Sequence, residues 1–347
     1  MPLISVTCMI PGMSRVEIPR DARLSEFLRL GELSAPLLKA LDSVVQVPLS
    51  GFLAHEGKAL RARAVEAGFR LGGGVPPARA CEVIGECIET IHAGSLIVDD
   101  IQDAAQVRRG NVALHRAYGI SVALNCGNLL YFLGLQRLAD AGLSAEQERA
   151  CGALLNEELA RAHYGQALDV GTPMDLIPQQ DVAEICLAAN RLKSGVLMSL
   201  AIVLGAKVAG ASAEKIRILD EFGHRLGMGL QMFDDLRNIA PLPVDDPNLP
   251  KRLEDLRLRR PSWIWAQAAT RCSERDYADF VRATQRLPDD SFLTAWLGLH
   301  DFAGRASEAA SAFVDEAFAQ LERDLPVGEK EQGAVDELRA VTRRFGT

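Results

Sequence analysis

ACEVIGECIETIHAGSLIVDDIQD, residues 80–103, sets the fold class of this chain. Val83, Ile84, Cys87, Ile88, Ile91, Ser95, Leu96 and Val98 recur at spacings of three and four, the period of a helix with one buried face. A strand would alternate every second residue, and this stretch does not. The apolar face runs into three carboxylates. On a helix Asp99 and Asp103 share a face, with Asp100 rotated by about 100°. Carboxylates that close repel one another unless a cation neutralises them. An all-oxygen set suits a hard ion, magnesium above zinc or copper.

The same period covers residues 22–42, 50–71, 121–140, 145–168, 180–208, 214–239 and 292–323. GGGVPP (72–77), GTPMDLIP (171–178) and APLPVDDPNLP (240–250) break the helices between them. No strand–helix rhythm, solenoid repeat or low-complexity tract is present. The expectation is an all-α protein with a single domain over 21–347, preceded by an extension over 1–20 that is either disordered or packed on a partner.

With 347 residues, 48% of them hydrophobic, the chain can bury a substantial core. A net charge of −8 argues against nucleic acid as partner. Seven scattered cysteines without a CxxC predict reduced, mostly buried thiols rather than a disulfide framework or zinc ribbon. The first residues carry no positive charge ahead of their apolar part, so no secretory signal is read. The longest uncharged apolar run, SGVLMSLAIVLGA (194–206), is shorter than the roughly 18–20 residues that span a bilayer. A cytoplasmic protein without stable membrane insertion is expected.

A second acidic pair lies in GLQMFDDLRNI (229–239), where Asp234 and Asn238 share a helical face and Asp235 sits beside them. Buried carboxylates without partners are costly. Either this pair faces water, or something positive sits on it. Two acidic helices facing one another could hold several magnesium ions. Magnesium prefers few carboxylates plus phosphate oxygens, so a diphosphate is the natural bridging ligand. Lys58 and Arg61 in HEGKALRAR, Arg108 and Arg109 after the first acidic cluster, and Lys193 in RLKSG supply cations for such a polyanion.

Together DDIQD with RRG, GKxxR, GQxxD, KS and QxxDD resemble the trans-isoprenyl diphosphate synthases, from Gly57 to Trp263. The resemblance implies an all-α helical bundle around a deep central cavity, usually a homodimer. It implies that Asp99, Asp100 and Asp103 form a first magnesium motif and Asp234, Asp235 and Asn238 a second, holding three ions with the substrate diphosphate. Arg108, Lys193 and Lys251 would contact an allylic diphosphate, with Arg260 where the family has a lysine. Lys58, Arg61, His92 and Arg109 would hold isopentenyl diphosphate. Ser194 and Gln231 match positions near the allylic carbon, Gln166 belongs to the same wall, and Asp169 is its acidic partner. By this resemblance Asp99, Asp100, Asp103, Lys193, Gln231 and Asp234 carry the catalysis.

The implied chemistry needs no conventional general base. Neutralising the leaving diphosphate lets the allylic C–O bond ionise. The cation must then be kept from water. The alkene of isopentenyl diphosphate attacks, and the departed diphosphate takes the proton. Glu56 before Gly57, Asn238 for Asp, Arg260 for Lys and Asn128 for Asp depart from the family pattern. Gly94 and Ser95, one turn above Asp99, would leave room for a growing chain, which predicts a product of C20 or longer. Ile91, Cys87, Tyr131 or Phe132 would then set the floor. A class I terpene cyclase or coupling enzyme on the same fold is the alternative, but DDLRNIAPL lacks the Ser or Thr and the Glu of the cyclase motif. A regulatory subunit would tend to lose the first acidic motif, which is complete here.

Overall fold

The computed structural model describes residues 27–54, 59–76, 78–243, 245–325 and 328–346. The expectations for the 1–20 extension and for Lys58 lie outside the described residues. Among the described residues the secondary structure is helical apart from one two-stranded hairpin, as the period predicts. The chain groups into two compact units, one of residues 1–62 and 82–142 and one of 63–81 and 143–347.

The first unit contains α1 (Ala35–Leu41), α2 (Val47–Leu53), the start of α3 (Leu60–Leu71) and nearly all of α4 (Arg79–Gln102). A hairpin of β1 (Val107–Arg108) and β2 (Asn111–Val112) follows, then α5 (Leu114–Tyr118) and α6 (Ile120–Arg137). Leu49, Ile97, Leu114, Ala123, Cys126 and Leu130 form its apolar core. Helices α4 and α6 touch backbone to backbone. A Cβ on Gly94 would stand 2.6 Å from the carbonyl oxygen of Gly127 and 3.1 Å from Cβ of Leu130. Gly94 is therefore a packing residue facing α6, not a wall that leaves room for a chain. Cys87 and Ile91 are buried and pack on Gly134 of α6, whereas Phe132 is 64% exposed and forms no floor.

The second unit contains the remainder of α3, then α7 (Ala145–Gly171), α8 (Gln179–Asn190), α9 (Val196–Val208) and α10 (Ala213–Ile239). They are followed by α11 (Glu254–Arg257), α12 (Trp263–Arg271), α13 (Glu274–Thr284), α14 (Ser291–Leu299), α15 (Phe302–Asp324) and α16 (Glu329–Gly346). Ser144 starts α7 with a full capping box: its hydroxyl accepts from the Gln147 N–H while the Gln147 side chain accepts from the Ser144 N–H. Ser212 caps α10 with its hydroxyl alone, which accepts from the Lys215 N–H. The core gathers Trp265, Tyr277, Phe280, Trp296 and Phe302 from α12 to α15, with Trp265 and Phe280 edge to face at 4.8 Å.

Helices α8 and α9 join through a π-turn, Arg191–Gly195, into one helical run. By length and composition Gln179–Val208 could cross a membrane, but 56% of its apolar window is buried inside the protein, as in a core helix. The period over 292–323 is split at Asp301, which adopts φ 43° between α14 and α15. Of the six described cysteines all but Cys272 are buried.

Candidate active site

Both acidic motifs stand at helix C-termini, where the backbone carbonyls already concentrate negative charge. Asp99 and Asp100 occupy the last turn of α4 and Asp103 follows it; Asp234 and Asp235 occupy the last two turns of α10. Acids there cost stability unless a cation meets them. The first motif has such a cation. Arg108 Nε lies 2.9 Å from each oxygen of Asp100, and its Nη2 lies 3.4 Å from Asp99. Asp100 is only 1% exposed, so this bidentate pair offsets a large desolvation cost.

The hairpin delivers that arginine. Its two central residues, Arg109 (φ 51°) and Gly110 (φ 76°), are both left-handed, the pattern of a type I′ turn whose twist suits two short strands. RRG is thus a turn signal as well as a motif. Arg109 itself is exposed.

A basic set lies in the same unit. Arg61 opens α3, and the Glu89 carboxylate of α4 accepts the N–H groups of Arg61 and Ala62 at 3.0 and 3.2 Å, holding that helix start in place. Burial, and then the charges of Arg61, Arg109 and Arg108, hold the His92 imidazole well below its ordinary range. His92 is therefore neutral at pH 7 and surrounded by cations. Its Nδ1 lies 3.3 Å from the Ser95 hydroxyl, which donates to the His92 carbonyl at 2.8 Å. Two neighbours escaped the sequence reading. Glu89 carries no motif signal. Tyr131, considered above only as a floor residue, lies near enough to Asp99 that burial and then that carboxylate push its phenol up to about 12.

In the second unit the RLKSG segment forms the π-turn, a distortion that often marks a functional site. Lys193 Nζ donates to Asp169 of α7 at 2.8 Å. Gly165, in the GQALD stretch, lets the helices approach, since a Cβ there would meet the Lys193 nitrogen at 2.5 Å. Gln166 is half-buried beside it. Buried Arg260 donates to the Asp169 carbonyl at 3.2 Å, so Asp169 is bonded to two of the cations the sequence singled out, Lys193 and Arg260.

The two aspartates of the second motif point differently. Asp234 is exposed and pairs with Arg237 at 2.9 Å. Asp235 turns inward, 3% exposed, and accepts from Gln231 Nε2 at 2.8 Å and from the Trp263 N–H at 2.6 Å. Burial pushes its carboxyl up to about 7, with Asp234 and Asp169 adding to the rise and the two hydrogen bonds opposing it. Ser194 Oγ donates to Gln231 Oε1 at 2.8 Å. Asn238 Nδ2 donates to the Lys251 carbonyl at 3.0 Å, and the Asn238 carbonyl accepts from the Leu253 N–H at 2.8 Å. Its side-chain oxygen is buried without a hydrogen-bond partner.

Among the described residues no three His, Cys, Asp or Glu side chains converge closely enough to bind a metal by themselves. Magnesium does not require that, because it is commonly held by one or two carboxylates with water and substrate phosphate oxygens. Each unit holds donors of that kind: the carboxylates at the end of α4 in the first, and exposed Asp234 with the unpartnered oxygen of Asn238 in the second.

Among the described residues the chain is thus an all-α protein with carboxylates at two helix ends and arginines and lysines beside them. Solved structures share that fold. A geranylgeranyl pyrophosphate synthase from Corynebacterium glutamicum, in complex with isoprenyl diphosphate and magnesium, superposes with a TM-score of 0.75 at 23% identity over 93% of this chain and 94% of that one. A decaprenyl diphosphate synthase from Rhodobacter capsulatus gives 0.71 at 22% identity over 93% and 98%.

Residues 42–291 match polyprenyl synthetase, and the chain belongs to that family. The geranylfarnesyl diphosphate synthase of Aeropyrum pernix is 30% identical over 69% of this chain and 76% of its own length. The geranylgeranyl pyrophosphate synthase of Macrophomina phaseolina is 30% identical over 63% of this chain, a match that spans 66% of the fungal enzyme.

Proposed function

We propose that this protein is a magnesium-dependent trans-prenyl diphosphate synthase that condenses isopentenyl diphosphate with an allylic diphosphate, giving a product of C20 or longer. Membership of the polyprenyl synthetase family supports the reaction class. The observation that carries the two-substrate reading is the basic surround of His92. Arg61, Arg108 and Arg109 all act on that imidazole, a concentration of positive charge suited to a diphosphate. A cyclase has no second diphosphate to hold.

Asp99 and Asp103 would hold magnesium in the first unit, where Asp100 is taken up by Arg108, and Asp234 and Asn238 in the second, with three ions in all. Bound magnesium would supply neutralisation of the leaving diphosphate. Arg108, Lys193, Lys251 and Arg260 add positive charge on the allylic side, and Lys193 is held for that task by Asp169. Arg61, His92, Arg109 and Lys58 receive isopentenyl diphosphate; the neutral imidazole can donate one hydrogen bond without a charge of its own. Ser194 and Gln231 serve the developing allylic cation with oxygen dipoles.

The protein acts as a cytoplasmic homodimer in this proposal. Exposed Ile120, Leu124 and Phe132, spaced along one face of α6, support a partnered surface.

The test is incubation with Mg²⁺, isopentenyl diphosphate and farnesyl diphosphate, followed by product identification. A chain-elongated diphosphate is expected. Hydrocarbon or alcohol from the allylic substrate alone would establish the cyclase reading, and turnover only with an added partner synthase the regulatory one.

A further inference from the structure

Four groups of the second unit form one continuous hydrogen-bonded line. Ser194 Oγ donates to Gln231 Oε1 at 2.8 Å, Gln231 Nε2 donates to Asp235 Oδ1 at 2.8 Å, and Asp235 Oδ2 accepts the Trp263 N–H at 2.6 Å. The line is held rigidly. A Cβ on Gly227, one turn before Gln231, would stand 2.5 Å from the Ser194 carbonyl oxygen, so α10 and the π-turn meet backbone to backbone. Trp263 is the first residue of α12, where a helix leaves N–H groups without intrahelical acceptors.

An amide can face either way, and its two ends differ in little but charge. Between two hydroxyls Gln231 would have no preferred orientation, because a hydroxyl both donates and accepts. Asp235 Oδ2 is taken by the Trp263 N–H and Oδ1 by the Gln231 NH₂, which leaves the Gln231 carbonyl turned to Ser194.

We propose that Asp235 is a positioning residue: it fixes the polarity of the Gln231 amide, so that a carbonyl oxygen rather than an NH₂ group stands beside Ser194. The inference rests on the proposed role of Gln231 toward the allylic cation. An NH₂ there would present partial positive charge to a developing cation, and the carbonyl presents the opposite sign. It also separates the two aspartates of the motif. Asp234 is exposed and available to an ion, whereas Asp235 acts inward, through Gln231. The resemblance placed both among the metal ligands.

The test compares Asp235→Asn, Gln231→Met and the double variant. Asparagine can donate to the Gln231 carbonyl and so permits the reversed amide, and methionine removes the amide altogether. In Asp235→Asn kcat should fall about tenfold or more, with the Mg²⁺ concentration for half-maximal rate unchanged. In the Gln231→Met background the same substitution should cause no further loss. A tenfold rise in the Mg²⁺ requirement would instead make Asp235 a metal ligand. An equal loss of kcat in both backgrounds would make it a residue that does not act through Gln231. Either result overturns the proposal.

A second readout does not depend on turnover. The Gln231 side-chain amide protons, assigned by their loss in Gln231→Met, should show one strongly downfield, hydrogen-bonded proton in the wild-type spectrum. Ordinary solvent-exposed amide shifts in the wild type would overturn the proposal even if Asp235→Asn fails to fold. Absence of elongation by the wild type would remove the proposed function, and loss of the downfield shift in Asp235→Asn would still identify Asp235 as the acceptor.

Discussion

Arg108 places its guanidinium across both oxygens of Asp100, with Nε 2.9 Å from each, and is the cation the end of α4 requires. The two side chains differ in exposure, 20% for Arg108 and 2% for Asp100. Removing the arginine strands a buried charge, whereas Asp100→Asn leaves a partly exposed guanidinium that still meets Asp99. Arg108→Ala should therefore cost about 3 kcal/mol of stability and Asp100→Asn clearly less. Urea unfolding of the two variants without substrate measures this, and equal losses would contradict the pairing.

Asn238 uses both ends of its residue on the turn that carries Lys251. Its Nδ2 donates to the Lys251 carbonyl, a bond that a carboxylate cannot make. Asn238→Asp, although closer to the usual motif, should loosen the 249–253 turn and cost about 1 kcal/mol. Hydrogen exchange at the Leu253 amide, which donates to the Asn238 carbonyl, should accelerate.

Gly94 has no room for a side chain against α6. Gly94→Ala must push the Gly127 backbone aside and should destabilise the protein by about 1–3 kcal/mol. Thermal unfolding reads the loss. An unchanged Tm would mean that the two helices are not in contact.

The His92 imidazole titrates well below 6.5 when folded and near 6.5 when unfolded. Between those values the unfolded chain binds a proton that the folded chain refuses. Stability therefore falls as pH drops below about 6.5, until the folded imidazole is also protonated. His115 and His224 are lowered too, by burial first, and add to the same slope. Urea unfolding at about pH 7.5 and 5.5 should show a smaller acid loss in His92→Gln than in the wild type.

Ser95 is half-buried one turn above Asp99, with its hydroxyl on the His92 carbonyl. In the proposed synthase Ser95→Phe should shorten the main product, as read by chromatography of the dephosphorylated alcohols. An unchanged product would put the chain-length limit elsewhere. Asp99→Ala should abolish turnover with the helix content preserved by circular dichroism.

The sequence by itself determined the helices whose period runs longest. The spans 80–103, 145–168 and 214–239 correspond to Arg79–Gln102, Ala145–Gly171 and Ala213–Ile239, because a buried face repeats locally and needs no knowledge of its partner. It also determined which carboxylates and cations are present and their order along the chain. Helices such as Glu254–Arg257 and Trp263–Arg271 are too short to show a period. Direction was left to tertiary structure. Asp234 and Asp235 are neighbours in sequence, yet one is exposed and the other bonds to a backbone N–H 28 residues away. Gly94 looked like an open wall until Gly127 met it, and Phe132 looked like a floor until α6 turned it outward. Which face a residue presents follows from local period. What that face meets depends on segments brought in from elsewhere in the chain, and that decided Asp235, Asn238 and Gly94.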